Sequence, residues 1–129
     1  EGSTTTQNSS VVRTAPGFKG IVYVDETSIL GFSVGLQLTG GSVDIMNSKI
    51  HRSIIGISVM AGNVMVSNTE FRHCKSMALK LSNKKGTASI FDNIFWANYT
   101  AIQTVIPLRN DITIQNTFGE NAKNIEYLQ

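Results

Sequence analysis

The chain places five residues that could bind a ligand at steps of just over twenty residues: two arginines, two histidines and the single tryptophan. These five residues are His51, Arg52, Arg72, His73 and Trp96. An arginine guanidinium binds carboxylate or sulfate groups through paired hydrogen bonds, and an exposed tryptophan offers a flat face to a sugar ring or to a guanidinium. If the five residues share one surface, they predict a binding site for a glycan, especially an acidic one, or for a protein.

That interpretation has an alternative. The histidines and arginines could form a solvated face without a ligand, and Trp96 could fold over the end of Phe95 as a satellite of the core. His51 and His73 by themselves supply too few ligands for a zinc ion, so the sequence predicts no metal site and no cofactor.

The elements that must position these residues repeat along the chain. A small residue and an aliphatic residue begin each repeat, and the aliphatic members are Leu36, Ile57, Leu79, Ile102 and Ile125, which are 21 to 23 residues apart. A second apolar-x-apolar-x-polar phrase follows at 43–47, 64–68, 88–92 and 112–116. Such a period, with short alternating segments and no helical spacing, predicts a solenoid of parallel β-strands with about five turns, or rungs.

A third apolar position completes each rung. Ile50, Phe71, Phe95 and Phe118 come two or three residues after the polar anchors Asn47, Asn68, Asp92 and Asn116. Three inward positions predict three strands per rung, with the segment 112–114 as one of them. The four anchors are expected to stack as a structural ladder at a bend that asparagine tolerates, although a polar binding stripe is the alternative interpretation.

Composition divides the chain into two parts. Residues 1–16 are rich in serine and threonine and are predicted to be a flexible leader, whereas 17–129 are predicted to form one β-helix domain. The net charge of +2 excludes a strong field for nucleic acid, and no apolar run is long enough for a membrane-spanning helix. No capping helix is visible at either end, so we expect a piece of a longer solenoid or contacts with a neighbouring domain or chain.

Acidic residues are too scattered to predict an active site. Glycoside hydrolysis requires two neighbouring carboxylates, and calcium-dependent lyases require several oxygen ligands together. Asp44 shares its predicted outward column with Tyr23, Met65, Ser89 and Thr113, and Glu126 shares one with Gln37, Ser58, Lys80 and Gln103. Neither column holds a second acid, so the residues argue against an enzyme without deciding the question.

Cys74 is the only cysteine, which excludes an internal disulfide. It aligns with Ser53, Asn98 and Asn121 in a column of small or polar residues. His73 is a possible base beside it, but adjacent residues of a strand point in opposite directions. A packed, unreactive thiol is therefore the preferred prediction.

Two complete rungs carry a resemblance to a known group of proteins. The segments GISVMAGNVMVSNTEFRHC and ALKLSNKKGTASIFDNIFWAN resemble the right-handed parallel β-helix repeats of the pectate-lyase-like superfamily, over roughly residues 17 to 129. The repeats are also similar to those in the ectodomains of fibrocystin-like animal proteins. The resemblance implies a fold that serves polysaccharide lyases, glycoside hydrolases, phage tailspikes and non-enzymatic extracellular domains, so it does not decide the function.

Two N-x-Ser/Thr signals, at Asn8 and Asn98, predict glycosylation and favour an extracellular or cell-surface location. The function predicted from the sequence is a non-catalytic recognition or scaffold module of a larger protein. One alternative is a fragment of a carbohydrate-active enzyme or tailspike, and another is an intracellular scaffold that binds peptides.

Overall fold

The chain coils into a parallel β-solenoid of about five turns with about 22 residues in each turn. A computed structural model describes residues 10–14, 17–109 and 111–128, and it describes residues 10–13 by their backbone alone. Strands of successive turns pair in parallel along three sheets, which we name A, B and C. The predicted fold class and the prediction of three strands per rung are confirmed.

Each sheet collects one strand from each of several rungs. Sheet B contains β2 (Ile21–Asp25), β5 (Ser42–Met46), β8 (Asn63–Ser67) and β11 (Ala88–Phe91). Sheet C contains β3 (Ser28–Leu30), β6 (Lys49–His51), β9 (Glu70–Arg72), β12 (Ile94–Trp96) and β14 (Thr117–Gly119). Sheet A contains β1 (Ser10–Arg13), β4 (Val34–Leu38), β7 (Ile55–Val59), β10 (Met77–Leu81), β13 (Thr100–Thr104) and β15 (Lys123–Tyr127).

The repeated aliphatic residues stack directly in the interior of sheet A. Leu36 pairs with Ile57, Ile57 with Leu79, and Leu79 with Ile102, and all four are buried. The pairing of like residues follows from the period, because a slip of one residue would turn every apolar side chain towards solvent.

Sheet C contributes an aromatic stack to the same core. Phe71, Phe95 and Phe118 occupy paired positions on three strands, and Ile50 continues the column below them. The rings of Phe71 and Phe95 are stacked with centroids 4.8 Å apart, and those of Phe95 and Phe118 are 5.1 Å apart. The predicted third inward column is confirmed.

Two predicted boundaries change. The segment predicted as a strand at 112–114 is instead a single helical turn, α1 (Ile112–Gln115), so Ile112 is buried while Ile114 is 83 % exposed. In a strand, the alternating I-T-I pattern would point both isoleucines inward. In the helical turn the two side chains point in different directions, and only Ile112 faces the core. The solenoid also begins earlier than Gly17, because β1 pairs with β4 from Ser10 onwards. The rest of the predicted leader, 1–9, lies outside the described residues.

The turn from sheet A to sheet B relies on glycine. Gly62 has φ of +94°, and a Cβ at this position would overlap the carbonyl oxygen of Gly41 in the rung below. Only glycine combines that dihedral angle with so close an approach of two backbones.

Among the described residues, no helix is long and apolar enough to cross a membrane.

Candidate functional site

The histidines, arginines and tryptophan of the predicted binding site lie on one side of the solenoid. In sheet C, His51 pairs with Arg72 and Arg72 pairs with Trp96, as the period predicts. Successive residues of a strand point to opposite faces of the sheet. The residue before each of these three belongs to the buried column, so their own side chains point outward. We call His51, Arg52, Arg72, His73 and Trp96, with the flanking Lys49 and Glu70, the sheet C face.

Arg52 and His73 lie at the corner where the chain turns from sheet C to sheet A. Both have left-handed backbone conformations, with φ of 61° and 58°. The Arg52 N–H donates to the carbonyl of Arg72, and the His73 N–H donates to that of Trp96, so the ladder holds this uncommon geometry at each rung. The two side chains are therefore exposed on successive rungs, beside the His51, Arg72 and Trp96 column.

Glu70 joins the charged members of the face, and the sequence analysis missed it. Its carboxylate forms an ion pair with the Nε of Arg72, and its Oε2 lies 3.6 Å from the Nε2 of His51. Glu70 has a cation as its partner, Arg72, two residues further along the same strand, and not a second carboxylate in its own column. The alternation of the E-F-R segment was the available signal, because it puts Glu70 and Arg72 on the same side of the strand.

The ion pair and the burial of the face set its charge at neutral pH. The hydrogen bond from Arg72 holds the pKa of Glu70 below its ordinary value, so this carboxylate is ionised. Burial lowers the pKa of His51, and the neighbouring Arg72, Lys49 and His73 lower it further, although Glu70 opposes them. His51 is therefore neutral at neutral pH, and the fixed cations are Lys49, Arg52 and Arg72.

Trp96 is 36 % exposed. Its ring lies on the backbone of Gly119, where a Cβ would overlap it. The guanidinium carbon of Arg72 is 6.0 Å from the ring centroid, at the outer limit of a cation–π contact. A partly exposed aromatic ring and an arginine thus lie side by side.

Three of the four polar anchors named in the sequence analysis share one column. Asn47, Asn68 and Asp92 lie at the corner between sheets B and C with positive φ, and the Asn68 amide donates to Asn47 at 2.6 Å. Asn116 is not in this column. Thr117 pairs with Ile94, so Asn116, the residue before Thr117, lies level with Asn93 and not with Asp92. The rung in which this change occurs contains α1.

A second set of asparagines, three of the four buried, links successive rungs. The sequence analysis placed Asn98 and Asn121 in one column but gave them no role, and it missed the pair Asn93 and Asn116. At the corner between sheets C and A, Asn98 Oδ1 accepts from the Cys74 N–H at 2.9 Å, and Asn98 Nδ2 donates to the Phe71 carbonyl at 3.1 Å. Asn121 repeats the pattern one rung later. At the corner between sheets B and C, Asn93 and Asn116 make equivalent bonds. The signal was the pair of 23-residue spacings, from 93 to 116 and from 98 to 121.

This role overturns one predicted glycosylation site. Asn98 is only 2 % exposed, and its amide nitrogen is occupied by bonds to Phe71 and Asn121. A glycan on that nitrogen is incompatible with the fold. The other predicted site, Asn8, lies outside the described residues.

Cys74 is packed in the column predicted for it. It is 1 % exposed, and burial raises the pKa of its thiol to about 12.

The folded protein at pH 8 is expected to react with a thiol reagent such as DTNB at least about a hundredfold more slowly than the urea-unfolded chain, because the thiolate is the reacting species. Equal rates in both states would contradict this placement.

Among the described residues, neither of the two columns discussed above for Asp44 and Glu126 holds a second acid. Tyr23, Asp44, Met65 and Ser89 share one outward column, as predicted, whereas Thr113 lies in α1. Glu126 ends the column of Gln37, Ser58, Lys80 and Gln103, and it accepts a hydrogen bond from Gln103 at 3.0 Å. In the described part of the chain, no group of three or more His, Cys, Asp and Glu residues could hold a metal ion.

Comparison of the chain with protein families, with curated proteins and with solved structures finds no match.

Proposed function

We propose that this solenoid is a non-catalytic recognition module and that its sheet C face binds an anionic ligand, an acidic glycan in the first instance. The observation that carries the proposal is the position of Arg72 beside the partly exposed Trp96 on adjacent rungs. Such a glycan requires two groups: an aromatic ring on which a sugar face can stack, and a guanidinium that donates hydrogen bonds to a carboxylate or sulfate.

The charges of the face support an anionic ligand. Lys49, Arg52 and Arg72 outnumber the single carboxylate of Glu70. Within the described ranges, neither Lys49 nor Arg52 has an ion-pair partner within 4.0 Å. Glu70 bonds the Nε of Arg72 and leaves its two terminal nitrogens available, so the ion pair orients the guanidinium without consuming its bidentate edge.

We also infer a right-handed coil and a place in the pectate-lyase-like superfamily, as part of a larger extracellular or surface protein. Support for the handedness comes from the general rule that about 98 % of crossover connections between parallel strands of one sheet are right-handed. In the part of the chain that the structure describes, the outer edges of β14 and β15 have no pairing strand, and such edges support a proposed contact with a partner at that surface.

The test is a glycan array probed with the protein and with a Trp96→Ala, Arg72→Ala double variant. Losing a charge-assisted hydrogen bond and a stacking contact removes about 2–4 kcal/mol, so binding to sulfated or uronate glycans is expected to weaken at least about thirtyfold. Lys80→Ala is the matched control, because Lys80 points outward from sheet A, away from the sheet C face.

Three outcomes would overturn the proposal in different ways. Release of product from any polysaccharide would favour a carbohydrate-active enzyme. Binding of acidic peptides without glycans would make the ligand a protein. Equal loss in the Lys80→Ala control would show non-specific attraction to the chain's positive charge.

A further inference from the structure

The outward side of sheet B carries a groove with different chemistry. It runs across β2, β5 and β8 and has a volume of about 260 Å³. Its central column contains Tyr23, Asp44 and Met65 on three successive strands, and Ile21 lies beside them. We call these four residues the sheet B groove.

The walls of the groove are apolar and exposed. Tyr23 is 66 % exposed, Ile21 57 % and Met65 41 %. Single exposed apolar side chains are ordinary, but three neighbours that share one groove form a patch that a ligand could cover. An aromatic ring and a thioether are also polarizable groups that contact organic cations well.

The base of the groove carries a carboxylate without a partner. Asp44 Oδ1 is shielded from solvent and has no hydrogen-bond partner in the described part of the chain. No ion pair to Asp44 occurs among the described residues. A shielded carboxylate oxygen without a donor is unfavourable. Oδ1 is closed to a ligand, but Asp44 as a whole is only half-buried, so a cation held against its accessible side would offset part of that cost through the charge of the carboxylate.

The surrounding field favours a cation as well. The strands β2, β5, β8 and β11 contain no lysine or arginine, whereas they contain two aspartates, Asp25 and Asp44. Asp25 accepts a hydrogen bond from the neutral amide of Asn47, which leaves its charge in place. Asp44 is the one charged side chain among the described residues that line the groove, although Lys19, Lys84 and Lys85 lie in the adjoining turns. The groove lining is thus acidic where the sheet C face is basic, so one ligand does not suit both surfaces.

We propose that the sheet B groove binds an alkylammonium group. The ammonium lies against the Asp44 carboxylate and the ring of Tyr23, and the alkyl chain covers Ile21 and Met65. Two sources can supply this chemistry: a free polyamine, or the lysine side chain of an extended peptide segment. The proposal does not rest on the function proposed for the sheet C face, and either can fail without the other.

The experiment is an NMR titration of the ¹⁵N-labelled chain with n-butylammonium, with n-butanol and butyrate as probes of the same length. Saturable shifts confined to β2, β5, β8 and the start of β11, where Ser89 also lines the groove, are expected with butylammonium. Butanol and butyrate should bind at least about tenfold more weakly because they lack the positive charge. Spermidine and a short peptide with one lysine, each compared with a neutral analogue, then distinguish the two sources.

Two variants test the residues, and a third is the matched control. Asp44→Asn keeps the shape and removes the charge, and Tyr23→Leu removes the ring, so each is expected to weaken butylammonium binding about tenfold. Glu126→Gln removes a carboxylate from sheet A and should leave it unchanged. Equal binding of butanol, or an unchanged affinity in Asp44→Asn, would overturn the proposal. If Asp44→Asn fails to fold, Tyr23→Leu and the butanol comparison decide.

Discussion

Replacing Phe95 by alanine is expected to lower the free energy of unfolding by about 3–5 kcal/mol. The Phe95 side chain is fully buried and stacks on both faces, against Phe71 below and Phe118 above. Its loss leaves a cavity that neighbouring rungs cannot close, because their strands are held at a fixed spacing by the ladder hydrogen bonds. Urea unfolding followed by circular dichroism measures the change.

Phe118→Ala is the matched control for Phe95→Ala. Phe118 is the same residue type in the same column, but it is partly exposed and stacks on Phe95 alone. A loss of about half that of Phe95→Ala, or less, is therefore expected. If both variants lost the same stability, the contribution of Phe95 could not be ascribed to its central place in the stack.

Replacing Asn98 by alanine is expected to destabilise the chain by about 2–5 kcal/mol. The side chain bonds one rung to the next through the Cys74 N–H and the Phe71 carbonyl, both in the buried interior. Alanine leaves both backbone groups without a partner and without water to replace it. Thermal and urea unfolding measure the loss.

Asn124→Ala provides the comparison for Asn98→Ala. Asn124 is exposed, and the one side-chain contact described for it is to Asn121 at 3.2 Å. Its replacement is expected to cost less than about 1 kcal/mol. A similar loss in both variants would mean that exposed and buried asparagines contribute alike, which the bonding pattern contradicts.

The strand pairing could be predicted from the sequence because it depends on periodicity alone. In a parallel solenoid, each rung pairs with the next, so residues one period apart must meet. Leu36 over Ile57 and His51 beside Arg72 both follow from that rule. The placement of Cys74 in a small or polar column follows from it too.

The rule failed where a rung changes its length or its local conformation. The sequence separation of Asp92 and Asn116 is one residue greater than that of paired positions in the same two rungs. Asn116 therefore lies level with Asn93 and bonds to it, and the rung in which this occurs contains α1. Asn98 matched a glycosylation signal in the sequence, but its neighbours in space occupy its amide. A three-residue signal carries no information about burial.

The repeat period was sufficient to predict the architecture, the three inward columns and the meeting of His51, Arg72 and Trp96 on one side. It was not sufficient to predict that Glu70 pairs with Arg72, that Trp96 lies on Gly119 and is partly exposed, or that Asp44 has a shielded oxygen without a partner among the described residues. The period sets which residues are neighbours, whereas hydrogen bonding and exposure depend on how the side chains of adjacent columns turn towards one another.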